Sequence, residues 1–172
     1  YIGNFPGGGT QPNTYAGVQI DSQAHDNTIG LSSNPGERNV IAGNTGDGVR
    51  LQNAPNNKIY GNYIGLGLGA NFVTTPMPNS LNGITVVDSS GNQIGSLIAS
   101  QRNVVSGNTG NGIESAGFGC LIEHCVVRSN GGFGIVVDFY AANTTISNAP
   151  CTPGPMAGIW GASIGMTPAN TT

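Results

Sequence analysis

Charge is scarce in this chain. Five basic and eight acidic side chains, 13 among 172 residues, leave a net charge of −3, about a third of the charged fraction of an average soluble domain. No lysine or arginine cluster is present to neutralise a run of phosphates, which argues against nucleic acid as a partner. Apolar runs are only a few residues long, far short of the roughly 20 that carry a helix across a bilayer. No stretch has an apolar stripe of helical period, so helices are not expected. With three cysteines, one disulfide is the most the chain can form within itself. Little charge and much glycine also describe disordered chains, but those are poor in β-branched residues, and Val and Ile recur throughout this one. No signal-peptide pattern opens the chain.

What is abundant is glycine, 29 residues, and asparagine, 21 residues, and both are periodic. The string RNVIAGNT at Arg38 to Thr45 returns as RNVVSGNT at Arg102 to Thr109, 64 residues later, and Tyr1-Ile2-Gly3 returns as Tyr63-Ile64-Gly65. A shorter period is marked by a glycine followed by alternating apolar residues, at Gly17, Gly48, Gly83, Gly112, Gly134 and Gly158, with spacings of 31, 35, 29, 22 and 24 residues. Between these markers stand Ile29, Ile59, Ile94, Ile122 and Ile146, usually with Asn two residues earlier. Each period therefore holds two or three short strands separated by Gly/Asn turns.

A unit of this size cannot bury its apolar face alone, whereas a stack of such units can. The expected fold is all-β, a right-handed parallel β-helix of about five to six coils, with repeats over residues 1–148 and an irregular Pro/Thr-containing segment over 149–172 that serves as cap, linker or contact arm. Asn44, Asn108 and Asn130 each stand four residues before a strand-opening glycine. There Asn would tolerate the left-handed conformation, and a column of them would bond amide to amide. A β-sandwich with Asn/Gly hairpins would not recreate one column in every unit. The strings NVIAGNTGDGVRL, NVVSGNTGNGIES and NKIYGNYIG resemble the parallel β-helix repeats of the pectin-lyase-like superfamily, and the tandem repeats of large secreted or surface proteins in particular. That resemblance implies the fold. It leaves activity open, because lyases, hydrolases, epimerases, adhesins and structural proteins share it.

An enzyme on such a fold would use the outer face of one sheet. With Val, Ile and Leu inward, the outer column of the glycine-led strand is Gln19, Arg50, Thr85, Glu114, Val136 and Trp160. Arg50, Glu114 and Trp160 are the ligand-binding candidates. The column lacks the carboxylate cluster that calcium-dependent lyases or hydrolases require, so the reading leans away from an enzyme; were it one, it would be a polysaccharide lyase or glycoside hydrolase. The densest polar group is Glu123, His124 and Arg128, with Asp138 on the next coil: either His124 is a proton carrier and Arg128 a grip for a carboxylated sugar, or Arg128 is an outward loop residue and His124 an ordinary surface histidine. Asp21, Asp88 and Asp138 form an acidic edge that would take calcium only weakly, or else cap turns. Cys120 and Cys125 replace corner asparagines, and Cys151 would bridge to one of them and leave one free thiol, or else all three stay reduced and buried. Asn143 and Asn170 fit the N-glycosylation pattern.

Neither terminus has a capping pattern, and Tyr1 falls in mid-repeat, which suggests a processed chain, a fragment, or a neighbour that completes the first coil. The functional expectation is an extracellular or cell-surface structural β-helix: a module of a surface or adhesive protein whose partners are neighbouring repeats, or a subunit associating end to end into a filament. The alternative is a polysaccharide-acting enzyme or a carbohydrate-binding β-helix.

Overall fold

The computed structural model describes residues 1–5, 9–30, 38–68, 74–138, 141, 144–147, 151–152, 159–161 and 165–166; at Phe5, at Thr74 and from 151 onward it describes the backbone alone. Three parallel sheets run along one axis. Sheet I contains Val18–Ile20, Val49–Gln52, Ile84–Val87, Ile113–Ala116, Ile135–Val137 and Ile159–Gly161. Sheet II contains Thr28–Gly30, Lys58–Tyr60, Gln93–Ile94, Leu121–Glu123, Thr145–Ser147 and Gly165–Met166. Sheet III contains Val40–Ile41, Tyr63–Ile64, Val104–Ser106, Val126–Arg128 and Cys151–Thr152, and Ile2 bridges to Ile41 at its edge. The chain visits the sheets in the order I, II, III, and each round is one coil of a parallel β-helix. Coils are numbered here from the one that opens at Val18.

Register follows the apolar pattern. Val18, Val49, Ile84, Ile113 and Ile135 are aligned, and so are Ile29, Ile59, Ile94, Ile122 and Ile146. Together with Ile41, Ile64, Val105 and Val127 they form one continuous core. A slip of one residue would turn a whole strand's apolar set outward, so core and register specify each other. The 64-residue repeat is two coils, because Val40 pairs with Tyr63 and Tyr63 with Val104. Two features depart from a purely parallel stack. Asn4–Phe5 pairs antiparallel with Gly9–Thr10, and Leu66–Leu68 with Thr74–Pro76. These hairpins leave the stack two coils apart, each after a Tyr-Ile-Gly string, and the second accounts for the 35-residue period.

The segment expected to be irregular is not so throughout. Cys151 pairs with Val127, Ile159 with Ile135 and Met166 with Ile146, so all three sheets continue past residue 148. The exposed parallel edge of one coil offers backbone donors and acceptors to the next, and a strand needs little sequence signal to take them.

Candidate functional site

Asparagines occupy the three corners, each just before a sheet. Before sheet I the Nδ2 of Asn13 donates to Oδ1 of Asn44 (2.9 Å), Asn44 to Asn79 (2.8 Å), Asn79 to Asn108 (2.8 Å) and Asn108 to Asn130 (2.9 Å). The ladder is the expected one, extended by Asn13 and Asn79. Its cause differs from the expectation, since the left-handed residue in these turns is the neighbour before the Asn: Gly43, Gly107 and Ser129 have φ of 73°, 79° and 51°. Before sheet III, Asn39 donates to Asn62 (3.0 Å) and Asn62 to Asn103 (3.1 Å). Before sheet II, Asn27 donates to Asn57 (3.0 Å), and the Asn57 backbone N–H donates to Asn92 Oδ1 (2.8 Å).

Cys120 and Cys125 take the next positions of these last two columns, as expected from register. Both are buried thiols rather than bridge members, directed at the carbonyls of Ser89 (3.7 Å) and Ile94 (3.4 Å) on the preceding coil. The Cys151 side chain lies outside the described residues. Burial pushes the Cys120 thiol up from its ordinary value, opposed by the Asn92 backbone N–H, the Ser115 hydroxyl and the Asn92 amide.

The outer column of sheet I aligns as Gln19, Arg50, Thr85, Glu114, Val136 and Trp160. Its charged members are bonded within the stack. The Arg50 guanidinium donates to Asp47 (3.1 Å) and Gln52 (3.2 Å) and lies 5.8 Å from the Tyr15 ring centroid. Glu114 accepts from the amides of Asn82 (3.1 Å) and Asn111 (2.8 Å). Asp47, Asn82 and Asn111 make a further ladder in which each side chain accepts the backbone N–H one coil on, at 3.0, 2.7 and 2.8 Å. The Trp160 side chain, Asn143 and Asn170 lie outside the described residues.

The expected cluster of Glu123, His124, Arg128 and Asp138 is not assembled. Glu123 ends a strand of sheet II with His124 next to it, Arg128 ends a strand of sheet III, and Asp138 follows a strand of sheet I on the next coil. His124 has φ 50° and stands one 63-residue step after Gly61, with φ 63°, so it fills the left-handed corner position that Gly61 holds two coils earlier. Glu123 meets other residues instead: Tyr60 Oη donates to Gln93 Oε1 (2.6 Å), and Gln93 Nε2 donates to Glu123 Oε1 (2.9 Å). Tyr60 and Glu123 hold the same position two coils apart, and Gly95 lies between them with φ 82°. A Cβ there would come within 2.0 Å of the Glu123 carbonyl oxygen, so the gap is bridged from the side by Gln93. Burial, and then the Glu123 charge, hold the Tyr60 hydroxyl above its ordinary value. The 63-residue spacing was the available signal for this pair.

Asp21 and Asp138 share a column but lie four coils apart, about 19 Å at about 4.8 Å per coil. Asp88 is one residue further along its corner, after Val87, which pairs with Gln52 and Ala116. Among the described residues no group of three or more His, Cys, Asp or Glu side chains converges on a metal position. What the arrangement does chemically is hold coil to coil.

A family described as "right handed beta helix region" matches residues 10–149. No curated protein and no solved structure matches the chain. With most of its length matched, the chain belongs to the right-handed β-helix family.

Proposed function

We propose that the chain is a structural β-helix of an extracellular or cell-surface protein, continued along its axis by further coils of a longer chain or by further copies end to end. The observation that carries this reading is where the outward polar groups bond. Glu114, Gln93, Glu123 and the corner asparagines are joined to neighbouring coils, and Arg50 to Asp47 and Gln52 of its own coil, groups that a catalytic face would present to substrate. The strands Val18–Ile20 and Thr28–Gly30 have a partner on one side only among the described residues. An edge of that kind accepts a further strand, and a head-to-tail contact repeats without closing.

Sedimentation velocity over a hundredfold concentration range tests the proposal. Association that grows with concentration is the expected result, and a concentration-independent monomer would count against it. A second reading, a polysaccharide lyase or hydrolase, draws on one observation: two proton-carrying groups, Tyr60 and Glu123, linked through Gln93 on an outer face. It requires unsaturated or reducing ends to appear on incubation with acidic polysaccharides and to vanish with Glu123→Gln.

A further inference from the structure

The corner between sheets I and II opens outward at the third and fourth coils. An open pocket of ≈ 300 Å³ there is lined by Asp88, Ser89, Ser90, Ala116 and Phe118. Local sequence creates it. In the second and third coils this corner runs from Asn53 to Asn57 and from Asp88 to Asn92; in the fourth it is one residue shorter, from Gly117 to Cys120. Gly117 stands beside Asp88, and a Cβ on it would lie 2.1 Å from the Ser89 carbonyl oxygen. Only glycine fits, so no side chain covers Asp88 from that coil. The bulk stands one residue on, in Phe118, whose side chain is 54% exposed. Its backbone is pinned, because the Gly91 N–H donates to the Phe118 carbonyl (2.9 Å).

Asp88 differs from the other described acids. Asp21 accepts from Gln19, Asp26 from His25, Asp47 from Arg50, Glu114 from two asparagines and Glu123 from Gln93. Asp88 is exposed, and its carboxylate has no hydrogen-bond partner among the described residues. Ser89 beside it is occupied, accepting from the Ala54 N–H (2.9 Å) and donating to the Val87 carbonyl (2.7 Å).

We propose that this corner binds a neutral sugar residue. An exposed aromatic ring offers a flat apolar platform for the C–H face of a pyranose. A carboxylate next to it accepts from adjacent hydroxyls, and such charge-assisted bonds are the stronger kind. Among the described residues no cation lines the pocket, which disfavours anionic ligands. The volume is at the lower limit of the about 300–1,000 Å³ of small-ligand sites, suited to a single ring. The site does not rest on the structural role of the stack: a rod built of coils can carry a glycan contact at one corner.

Titration of isotopically labelled protein with methyl β-glucopyranoside, methyl β-galactopyranoside and galacturonate, followed by amide chemical shifts, tests the proposal. The expected result is millimolar binding of at least one neutral glycoside, with shifts confined to residues 88–91 and 116–119. Phe118→Ala and Asp88→Asn should each weaken it about tenfold. Tyr15→Ala removes another exposed aromatic and should leave it unchanged. Both pocket side chains are exposed, so the thermal midpoint and the association state should be unaltered by either variant, which separates this test from that of the structural reading. Absence of shifts at the corner with both neutral glycosides, binding that survives both pocket substitutions, or tighter binding of galacturonate would overturn the proposal.

Discussion

The first three coils and the fourth share a core but differ at their corners. In coils one to three every corner carries an asparagine, and each column is bonded from the first coil through the third. In the fourth, two of three corners carry Cys120 and Cys125, and only Asn108 continues its ladder, to Asn130. The core is indifferent to this change: Ile94 still aligns with Ile122, and Val105 with Val127. Strand pairing therefore needs only the apolar columns and the backbone ladder, and the asparagines add a second, polar registration that can stop at a corner without shifting register. The loss falls on the donors left behind. Asn92 Nδ2 and the Ser115 hydroxyl are buried with only the Cys120 thiol to face, while Asn103 Nδ2 donates to the Ile59 carbonyl (2.7 Å) and finds only the Cys125 sulfur, at 3.8 Å, on the next coil.

The sharpest way to break that comparison is to cut a complete ladder. Asn79 accepts from the Asn44 backbone and amide and donates to Asn108 and to the Ile41 carbonyl. Asn79→Ala would leave several buried groups unsatisfied, an expected loss of about 3–5 kcal/mol in urea unfolding. Asn130 is the last described member of the same ladder, accepting from Asn108 and donating to Val105, and Asn130→Ala should cost about 2 kcal/mol. Equal losses would show that an interior position confers nothing extra. A smaller change of opposite sign is expected where the ladder is already cut. Cys120→Asn gives Asn92 Nδ2 an acceptor and should gain about 1 kcal/mol, with slowed hydrogen exchange at the corner before sheet II. A loss there would mean that the fourth coil is too tight at that corner for an amide.

Much of this contrast was legible from residue spacing. The glycine-led strands, their outer column and the replacement of Asn92 and Asn103 by Cys120 and Cys125 all follow from aligning the periods. The rest depended on coil lengths that vary from 22 to 35 residues. The Leu66–Leu68 strand lies in a glycine-rich string without the β-branched residues that mark most of the other strands. The Tyr60–Gln93–Glu123 chain joins three coils, and only cross-coil register shows that Gln93 stands between the other two. The expected grouping of Glu123 with Arg128 and Asp138 failed for the complementary reason: closeness in sequence crosses corners, and corners send side chains to different faces. The pocket beside Phe118 arises from one missing corner residue, a difference that strand periodicity does not record.

The smallest expected effect is a pH dependence that separates the two regions. Cys120, in the interrupted coil, and Tyr60, in the laddered part, hold their protons above the ordinary values of 9.0 and 10.0, both chiefly through burial. Each is neutral when folded at pH 7. As pH rises past the ordinary value the unfolded chain gives up its proton first, so it binds fewer protons than the folded chain, and stability declines with further increase. The contribution is intact below about pH 9 and is lost first through Cys120, then through Tyr60. Thermal midpoints measured from pH 7 to 11 should therefore begin to fall near pH 9 in the wild type. In Cys120→Asn the fall should begin nearer pH 10, and Tyr60→Phe should keep the early decline while reducing the later one. An unchanged profile in Cys120→Asn would mean that the thiol deprotonates as readily folded as unfolded, and that the corner around Asn92 and Ser115 is more open to water than its burial implies.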